Sequence, residues 1–343
     1  MRSRIHMLML SAATALALAA GAATAAEIKS VAIVTPEQGT DFGWNQQGVQ
    51  GAKDAAAAAG LEFIAAEGMG YGDIRPTLRE LADDDAGLII AHAGGYATEA
   101  GEIAQEMKVH MALNAKGVRK PPFISDYTLS AQDGAYLAGV LAAKTTRTGI
   151  IGIVVSSESA TWNSQSSGFV QGVKATRPDA VLRYAIIGPK AYSDVAGARR
   201  VTESVIAADA DVIFGQGNGS SFGMIQAIET VKPPSGNKVW FIDVIGDKSS
   251  IDKGYLLSSV VWNFEPVFSK MIADIKADNF GTQNYGLALA DNSLRLLKTA
   301  SIPEPVWADL MTVRQEIIDG KIKVTPEYDG LKVRQMMTST AAN

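Results

Sequence analysis

Short apolar, β-branched segments alternate with longer helical segments along most of this chain. The segment Ile150–Val155 is apolar throughout, which is typical of a strand buried on both faces. Helical patterns at 131–144 and 167–176 flank it. Such alternation predicts parallel sheets covered by helices on both sides. Because 343 residues exceed the usual domain length of about 100 to 200, we predict two α/β lobes.

Composition excludes several classes of function. The chain has 31 basic and 36 acidic side chains and a formal net charge of −5, so it lacks the basic surface that nucleic-acid binding requires. It has no cysteine, which removes thiolate metal sites and cysteine nucleophiles. Outside the first 26 residues only His92 and His110 remain, too few for an imidazole metal site. We predict no catalytic residue, metal or cofactor, and no nucleic-acid partner.

The first 26 residues read as a secretory signal peptide. Arg2 and Arg4 precede an apolar run at 7–20, and small residues follow at 23–26. An uncleaved anchor helix is the alternative, but the apolar run is shorter than the roughly 20 residues that span a bilayer. With no cysteine to carry a lipid, we predict a protein that is exported, cleaved after Ala25 or Ala26, and free in the periplasm.

Aromatic and amide side chains cluster in the turns that follow the predicted strands. In open α/β sheets ligands bind outside the carboxyl ends of strands, so these turns are candidate ligand contacts. A flat heteroaromatic solute would stack on such rings, each worth about 1 to 3 kcal/mol, while Asn or Asp binds its edge. For Phe42 a core position is the alternative, and His92 is predicted to be structural. The candidates are Asp41, Phe42, Trp44, Asn45, Tyr96, Asp126, Trp162, Asn218 and Trp262.

Five segments resemble the basic membrane protein (BMP) family of substrate-binding proteins. They are VAIVTPEQGTDFGWNQQGVQGAKDAA, YLAGVLAAKTTRTGIIGIV, GFVQGVKATRPDAVLRYAIIG, AYSDVAGARRVTESVIAADADVIF and NYGLALADNSLRLL. The resemblance implies a type I periplasmic-binding-protein fold, in which two doubly wound parallel-sheet lobes are joined by three crossing segments. We expect 27–128 plus 258–287 to form lobe 1, and 129–257 plus 288–343 to form lobe 2.

The resemblance also implies roles for individual residues. The family's D-x-x-[FW]-N turn falls on Asp41, Trp44 and Asn45, with Trp44 as the stacking ring. An acidic contact after a late strand falls on Asp247, with Asp243 as the alternative. Nucleoside-binding members usually carry a lysine where this chain has Trp262. Indole offers one N–H donor and lysine three, so this change favours a bare purine over a nucleoside.

The expected function is that of a solute receptor for an ABC importer. The protein would capture a purine base, a purine nucleoside or a similar flat solute between its lobes and deliver it to a membrane permease. We expect a monomer. A ligand-binding sensor that docks on a membrane receptor is one alternative. A periplasmic nucleoside hydrolase with Asp41 or Asp247 as general base is the other.

Overall fold

The computed structural model describes residues 28–189 and 191–338, so the predicted signal peptide lies outside the described residues. Within these ranges the chain forms twelve strands and ten α-helices. The strands are β1 (Ser30–Val34), β2 (Glu62–Ala66), β3 (Ala86–Ala91), β4 (His110–Leu113), β5 (Ile124–Thr128), β6 (Ile150–Val155), β7 (Val181–Ile186), β8 (Val212–Gln216), β9 (Trp240–Ile245), β10 (Leu256–Trp262), β11 (Tyr285–Gly286) and β12 (Leu294–Leu296). The helices are α1 (Trp44–Ala59), α2 (Arg75–Asp83), α3 (Ala97–Met107), α4 (Gln132–Thr145), α5 (Ala160–Thr176), α6 (Val195–Ala207), α7 (Ser221–Thr230), α8 (Glu265–Lys276), α9 (Glu304–Ile318) and α10 (Gly330–Thr338).

The strands form two six-stranded sheets with matching topology. The first sheet has the order β11-β5-β4-β3-β1-β2, and the second has β12-β10-β9-β8-β6-β7. All pairs are parallel except β10 with β12. In each sheet the first strand of the lobe lies between the second and the third, which creates a switch point in strand order. The predicted fold of two doubly wound α/β lobes is confirmed.

The chain crosses between the sheets three times, after β5, after β10 and after β11. The sequence places 258–262 in lobe 1, whereas the structure places these residues in the second sheet. Strand β10 pairs with β9 on one side and with β12 on the other. All seven residues of β10 are buried. The chain crosses to the first lobe only after this strand ends, at Asn263.

Local sequence explains how α1 is placed beside the cleft. Strand β1 is buried at all five positions and anchors the loop that follows. Helix α1 is rich in alanine, the strongest helix former, and it ends at Gly60, which has a left-handed φ of 69°. The N-terminus of α1 therefore lies at the carboxyl edge of the first sheet. In the described ranges no helix is long and apolar enough to cross a membrane.

Candidate ligand-binding site

A cavity of about 760 Å³ lies between the two lobes at the carboxyl ends of the parallel strands. Its walls come from the segments that follow β1 to β5 of the first sheet and β6 to β8 of the second, and from the last residues of β9 and β10. Ligand pockets in proteins usually measure about 300 to 1,000 Å³, so this volume suits a small organic solute.

Three indole rings line the cavity and contact one another. Trp44 comes from the first lobe, while Trp162 and Trp262 come from the second. The Trp44 and Trp262 rings meet edge to face with centroids 6.3 Å apart, and Trp162 lies 6.2 Å from Trp262. Trp262 is 1% exposed, so its ring is almost fully withdrawn from solvent. Trp162 is 4% exposed, so the partly buried Trp44 carries most of the indole surface that faces the cavity.

The Trp44 ring is fixed by His92. The two rings stack with centroids 3.7 Å apart, and Trp44 Nε1 donates to the His92 backbone carbonyl at 2.8 Å. His92 Nε2 lies 3.0 Å from the Trp44 carbonyl oxygen, which can only accept, so Nε2 carries the proton. Nδ1 then accepts from the Tyr127 hydroxyl at 2.7 Å. Burial lowers the pKa of His92 to about 3, and the imidazole is neutral near pH 7, as a structural histidine should be.

Asp41 organises the start of α1. Its carboxylate accepts from the backbone N–H groups of Gly43, Asn45 and Gln46 at 3.0 to 3.1 Å. It also accepts from Asn45 Nδ2 at 2.8 Å. Because a carboxylate only accepts, this bond fixes the orientation of the Asn45 amide and leaves Asn45 Oδ1 free to accept.

Two buried polar atoms of cavity-lining residues have no hydrogen-bond partner among the described residues. They are Trp262 Nε1, a donor, and Asn45 Oδ1, an acceptor. Trp162 differs, since its Nε1 already donates to Ser156 Oγ at 3.0 Å. A buried polar group without a partner costs free energy, so such groups in a cavity indicate where a ligand would be bound.

The lobes touch at the edge of the cavity through three hydrogen bonds. Trp44 N–H donates to Asn218 Oδ1 at 2.7 Å, and Lys248 Nζ donates to the Phe42 carbonyl at 2.9 Å. Ser193 Oγ donates to the Glu37 carboxylate at 3.2 Å. These contacts hold the structure in a closed arrangement around the cavity.

Glycine permits the close approach of the lobes at Lys248. A Cβ on Gly246 would lie 2.0 Å from the Phe42 carbonyl oxygen, which no side chain could tolerate. Lys248 is 1% exposed and forms an ion pair with the buried Asp243 at 2.6 Å. The second lobe therefore presents a preformed ammonium group to the backbone of the first.

Five of the ten predicted contact residues line the cavity, namely Trp44, Asn45, Trp162, Asn218 and Trp262.

The other five lie outside the cavity lining, and each has a structural partner. Asp41 caps α1, and the Phe42 ring packs edge to face against Phe222. The Tyr96 ring is buried beneath the loop after β2, where its hydroxyl donates to the Gly70 carbonyl at 2.5 Å.

Asp126 accepts from Gly117 N–H at 2.6 Å and pairs with Arg119. Asp247 accepts from Ser249 N–H at 2.9 Å in its own turn. Its alternative, Asp243, is buried in the ion pair with Lys248. Neither of these late acidic residues lines the cavity.

Among the lining residues that sequence reasoning missed, four carry a carboxylate or a phenol ring. Glu37 and Tyr71 come from the first lobe, and Tyr192 and Asp194 come from the second. Tyr71 lies in a glycine-rich loop and is 68% exposed. Both tyrosines lie in loops that follow strands, Tyr71 after β2 and Tyr192 after β7. Trp44 was selected because aromatic residues after strands are candidate ligand contacts, and the same signal is present at both tyrosines.

The described residues hold no group of three or more His, Asp or Glu side chains that could bind a metal ion. The chemistry that the cavity offers is stacking and hydrogen bonding, with ring surface from both lobes and one free donor and one free acceptor beneath it.

Comparison with solved structures identifies the fold. The chain superimposes on a solute-binding protein of an ABC transporter system from Conexibacter woesei with a TM-score of 0.74, at 18% identity, covering 88% of this chain and 100% of that one. A solute-binding protein from Aeropyrum pernix gives a TM-score of 0.74 at 17% identity, covering 90% of this chain and 96% of that one.

Sequence relatives cover only part of the chain. A CD4+ T-cell-stimulating antigen of Listeria innocua is 28% identical over 56% of this chain and 57% of its own length. The nucleoside-binding protein BmpA of Lactococcus lactis is 26% identical over 59% of this chain and 60% of its own length. A purine-binding protein of Brucella abortus is 26% identical over 56% of this chain and 55% of its own length. The chain thus spans little more than half the length of these relatives.

The family model described as PnrA-like ABC transporter substrate-binding protein matches residues 28–325, which include both sheets and the whole cavity. The resemblance noted in the sequence is thereby confirmed, and the family consists of substrate-binding proteins, not enzymes. The chain belongs to the Bmp family of ABC transporter substrate-binding proteins.

Proposed function

We propose that this protein binds a purine base, or a flat heteroaromatic solute of similar size, in the cavity between its lobes. The contacts would be Trp44, Asn45, Trp162, Asn218 and Trp262. Two relatives carry names that point the same way, a nucleoside-binding protein and a purine-binding protein. The bound protein would then deliver its solute to the membrane permease of an ABC importer.

The observation that carries this proposal is the combination of three indole rings with two buried, unpartnered polar atoms. Stacking on an aromatic ring contributes about 1 to 3 kcal/mol per base, so the indoles would supply most of the affinity. Trp262 Nε1 would donate to a ring nitrogen or carbonyl, and Asn45 Oδ1 would accept from a ring N–H or an amino group. Purine edges present both kinds of group.

Trp262 favours a base over a nucleoside. The free donor that its indole presents is a single N–H, and the rest of the side chain is apolar. A ribose would bring several hydroxyl groups against this surface, each needing a partner to replace water. We therefore propose that a purine base binds more tightly than its nucleoside.

We propose that the solute stabilises the closed arrangement of the lobes. A ligand that contacts both lobes prefers the closed form, and only such a preference shifts the balance between open and closed states. We further propose that the protein is exported by cleavage of 1–26 and works as a monomer in the periplasm, with the lobe boundaries given above except that 258–262 belong to lobe 2.

Isothermal titration calorimetry tests the ligand assignment. Protein unfolded and refolded to remove carried-over solute would be titrated with adenine, guanine, hypoxanthine, adenosine and guanosine. We expect heat from at least one base, and weaker binding of the matching nucleoside. Absence of heat from all five would refute the purine assignment. Mass spectrometry of the solute released on unfolding would then identify the actual ligand.

A further inference from the structure

The charged side chains that line the cavity are all acidic in the part of the chain that the structure describes. They are Glu37 and Asp194, one from each lobe, and no described lysine, arginine or histidine is part of the lining. Neither carboxylate forms an ion pair with a described residue. Burial raises the pKa of the Tyr71 hydroxyl, and the negative charge of Glu37 raises it further.

Two helix N-termini at the cavity, which could otherwise bind anions, are occupied by carboxylates. Helices α1, α5 and α6 begin at the cavity; α1 and α6 are capped by carboxylates, and α5 is capped by the Ser159 hydroxyl. Asp41 accepts from the first N–H groups of α1, and Asp194 accepts from Gly197 N–H at 2.8 Å. The remaining Trp44 N–H is bound to Asn218. At α1 and α6 the protein's own acids therefore occupy the positions that an anionic ligand would take.

The charge of the lysine that contacts the Phe42 carbonyl is also compensated. Lys248 Nζ is buried, lies 2.6 Å from the Asp243 carboxylate and donates to the Phe42 carbonyl. Its charge is compensated within the second lobe, and its hydrogen bonds point away from any solute. Among the described residues, none that lines the cavity offers a cation to replace the hydration that an entering anion would lose.

We propose that the cavity selects solutes by charge: it rejects anionic rings, and it binds the cationic form of a given ring at least as tightly as the neutral form. Cations gain from the indole faces and from the two carboxylates, whereas anions are repelled by both. This inference rests on the proposed function and narrows its substrate class, because phosphorylated or carboxylated heterocycles would not be transported.

A matched series of purines tests the proposal by titration. Purine-6-carboxamide is neutral, purine-6-carboxylate is an anion of the same shape, and 6-(aminomethyl)purine is a cation at neutral pH. We expect the carboxylate to bind at least about tenfold more weakly than the carboxamide, and the cation to bind no more weakly. A carboxylate that binds within about threefold of the carboxamide, or a cation that binds more weakly than it, overturns the proposal.

A double variant, Glu37→Gln with Asp194→Asn, tests whether these two carboxylates cause the rejection of anionic rings. Asparagine still caps a helix, so α6 should be retained. We expect the preference for carboxamide over carboxylate to shrink at least about threefold in this variant and to stay unchanged in Glu62→Gln, an exposed residue of β2. An unchanged preference in the double variant contradicts our explanation. If none of the three purines binds while adenine, guanine or hypoxanthine does, this inference fails and the proposed function stands. If none of these bases binds either, both fail.

Discussion

The indole of Trp44 and the imidazole of His92 lie parallel, with ring centroids 3.7 Å apart and planes inclined by 9°. Each residue also bonds to the backbone of the other, through Trp44 Nε1 to the His92 carbonyl and His92 Nε2 to the Trp44 carbonyl. One wall of the cavity is therefore set by a histidine that never contacts solvent. The position of the stacking ring depends on that histidine remaining neutral.

We expect stability to fall as pH drops through the acid range because of His92. Its pKa is about 3 in the folded protein and about 6.5 in the unfolded chain, so only the unfolded state takes up this proton between these values. The free energy of unfolding should decrease by up to about 1.4 kcal/mol per pH unit from this residue alone. Urea unfolding of wild type and His92→Gln from pH 7 to pH 4 measures the difference.

The His92→Gln variant should lack this component of the acid slope. If the free energy of unfolding fell equally steeply with pH in wild type and His92→Gln, His92 would not be the cause of the decrease. If the variant does not fold, nuclear magnetic resonance of the ring nitrogens of His92 in the wild type gives the same information. That ring should stay neutral down to about pH 4, and protonation near pH 6 would show that the pKa is not lowered.

Replacing Trp262 by phenylalanine should weaken binding of the solute. The substitution keeps an aromatic ring but removes the Nε1 donor, which has no partner among the described residues. A hydrogen bond contributes about 0.5 to 1.5 kcal/mol, so we expect the dissociation constant to rise about two- to tenfold. Trp162→Phe is the matched control for loss of ring size, although it also frees Ser156 Oγ. Unchanged affinity in Trp262→Phe would show that Nε1 does not contact the solute.

The Lys248→Met variant should be strongly destabilised. It leaves the Asp243 carboxylate buried without its partner, and breaking a buried pair in this way costs about 3 to 5 kcal/mol. Adding Asp243→Asn removes the unpaired charge, so the double variant should recover part of the loss. Chemical unfolding of the three proteins measures this. If the double variant is no more stable than Lys248→Met, the unpaired Asp243 charge is not the cause of the destabilisation.

Gly246→Ala should hold the lobes apart. The added Cβ would lie 2.0 Å from the Phe42 carbonyl oxygen in the closed arrangement. We expect weaker solute binding and, by small-angle scattering with solute present, a larger radius of gyration than wild type. Gly101→Ala in α3 is the control, because its Cβ would meet only a methyl group at 4.0 Å. A Gly246→Ala protein that closes normally would mean that this contact does not limit closure.

The sequence predicted the main elements of the fold because their patterns are local. The continuous apolar run of β6 and the glycine that ends α1 are visible without any tertiary information. Helix α3 and strands β4 and β12 were not predicted; β12 has only three residues, paired at a sheet edge, which leave no periodic pattern. The second segment of lobe 1 was predicted to begin at 258, five residues too early, because nothing in the sequence of β10 marks which sheet it joins.

The sequence indicated which strand ends carry the site, but it did not indicate which way the side chains there point. Trp44, Trp162 and Trp262 were selected because they follow or end strands, and all three line the cavity. Asp247 and its alternative Asp243 were proposed from the family resemblance, and neither lines the cavity. The partners of these acids depend on tertiary packing, which spacing does not reveal.

The central claim is that the solute stacks on Trp44 between the lobes. Its most direct test is titration of Trp44→Ala and Trp44→Phe with the tightest-binding purine, using Trp307→Ala on α9 as the control. Loss of a stacked ring should weaken binding by about 1 to 3 kcal/mol in Trp44→Ala, a fivefold to hundredfold rise in the dissociation constant. Trp44→Phe should lose less, and Trp307→Ala should bind as wild type does. Wild-type affinity in Trp44→Ala would contradict the account.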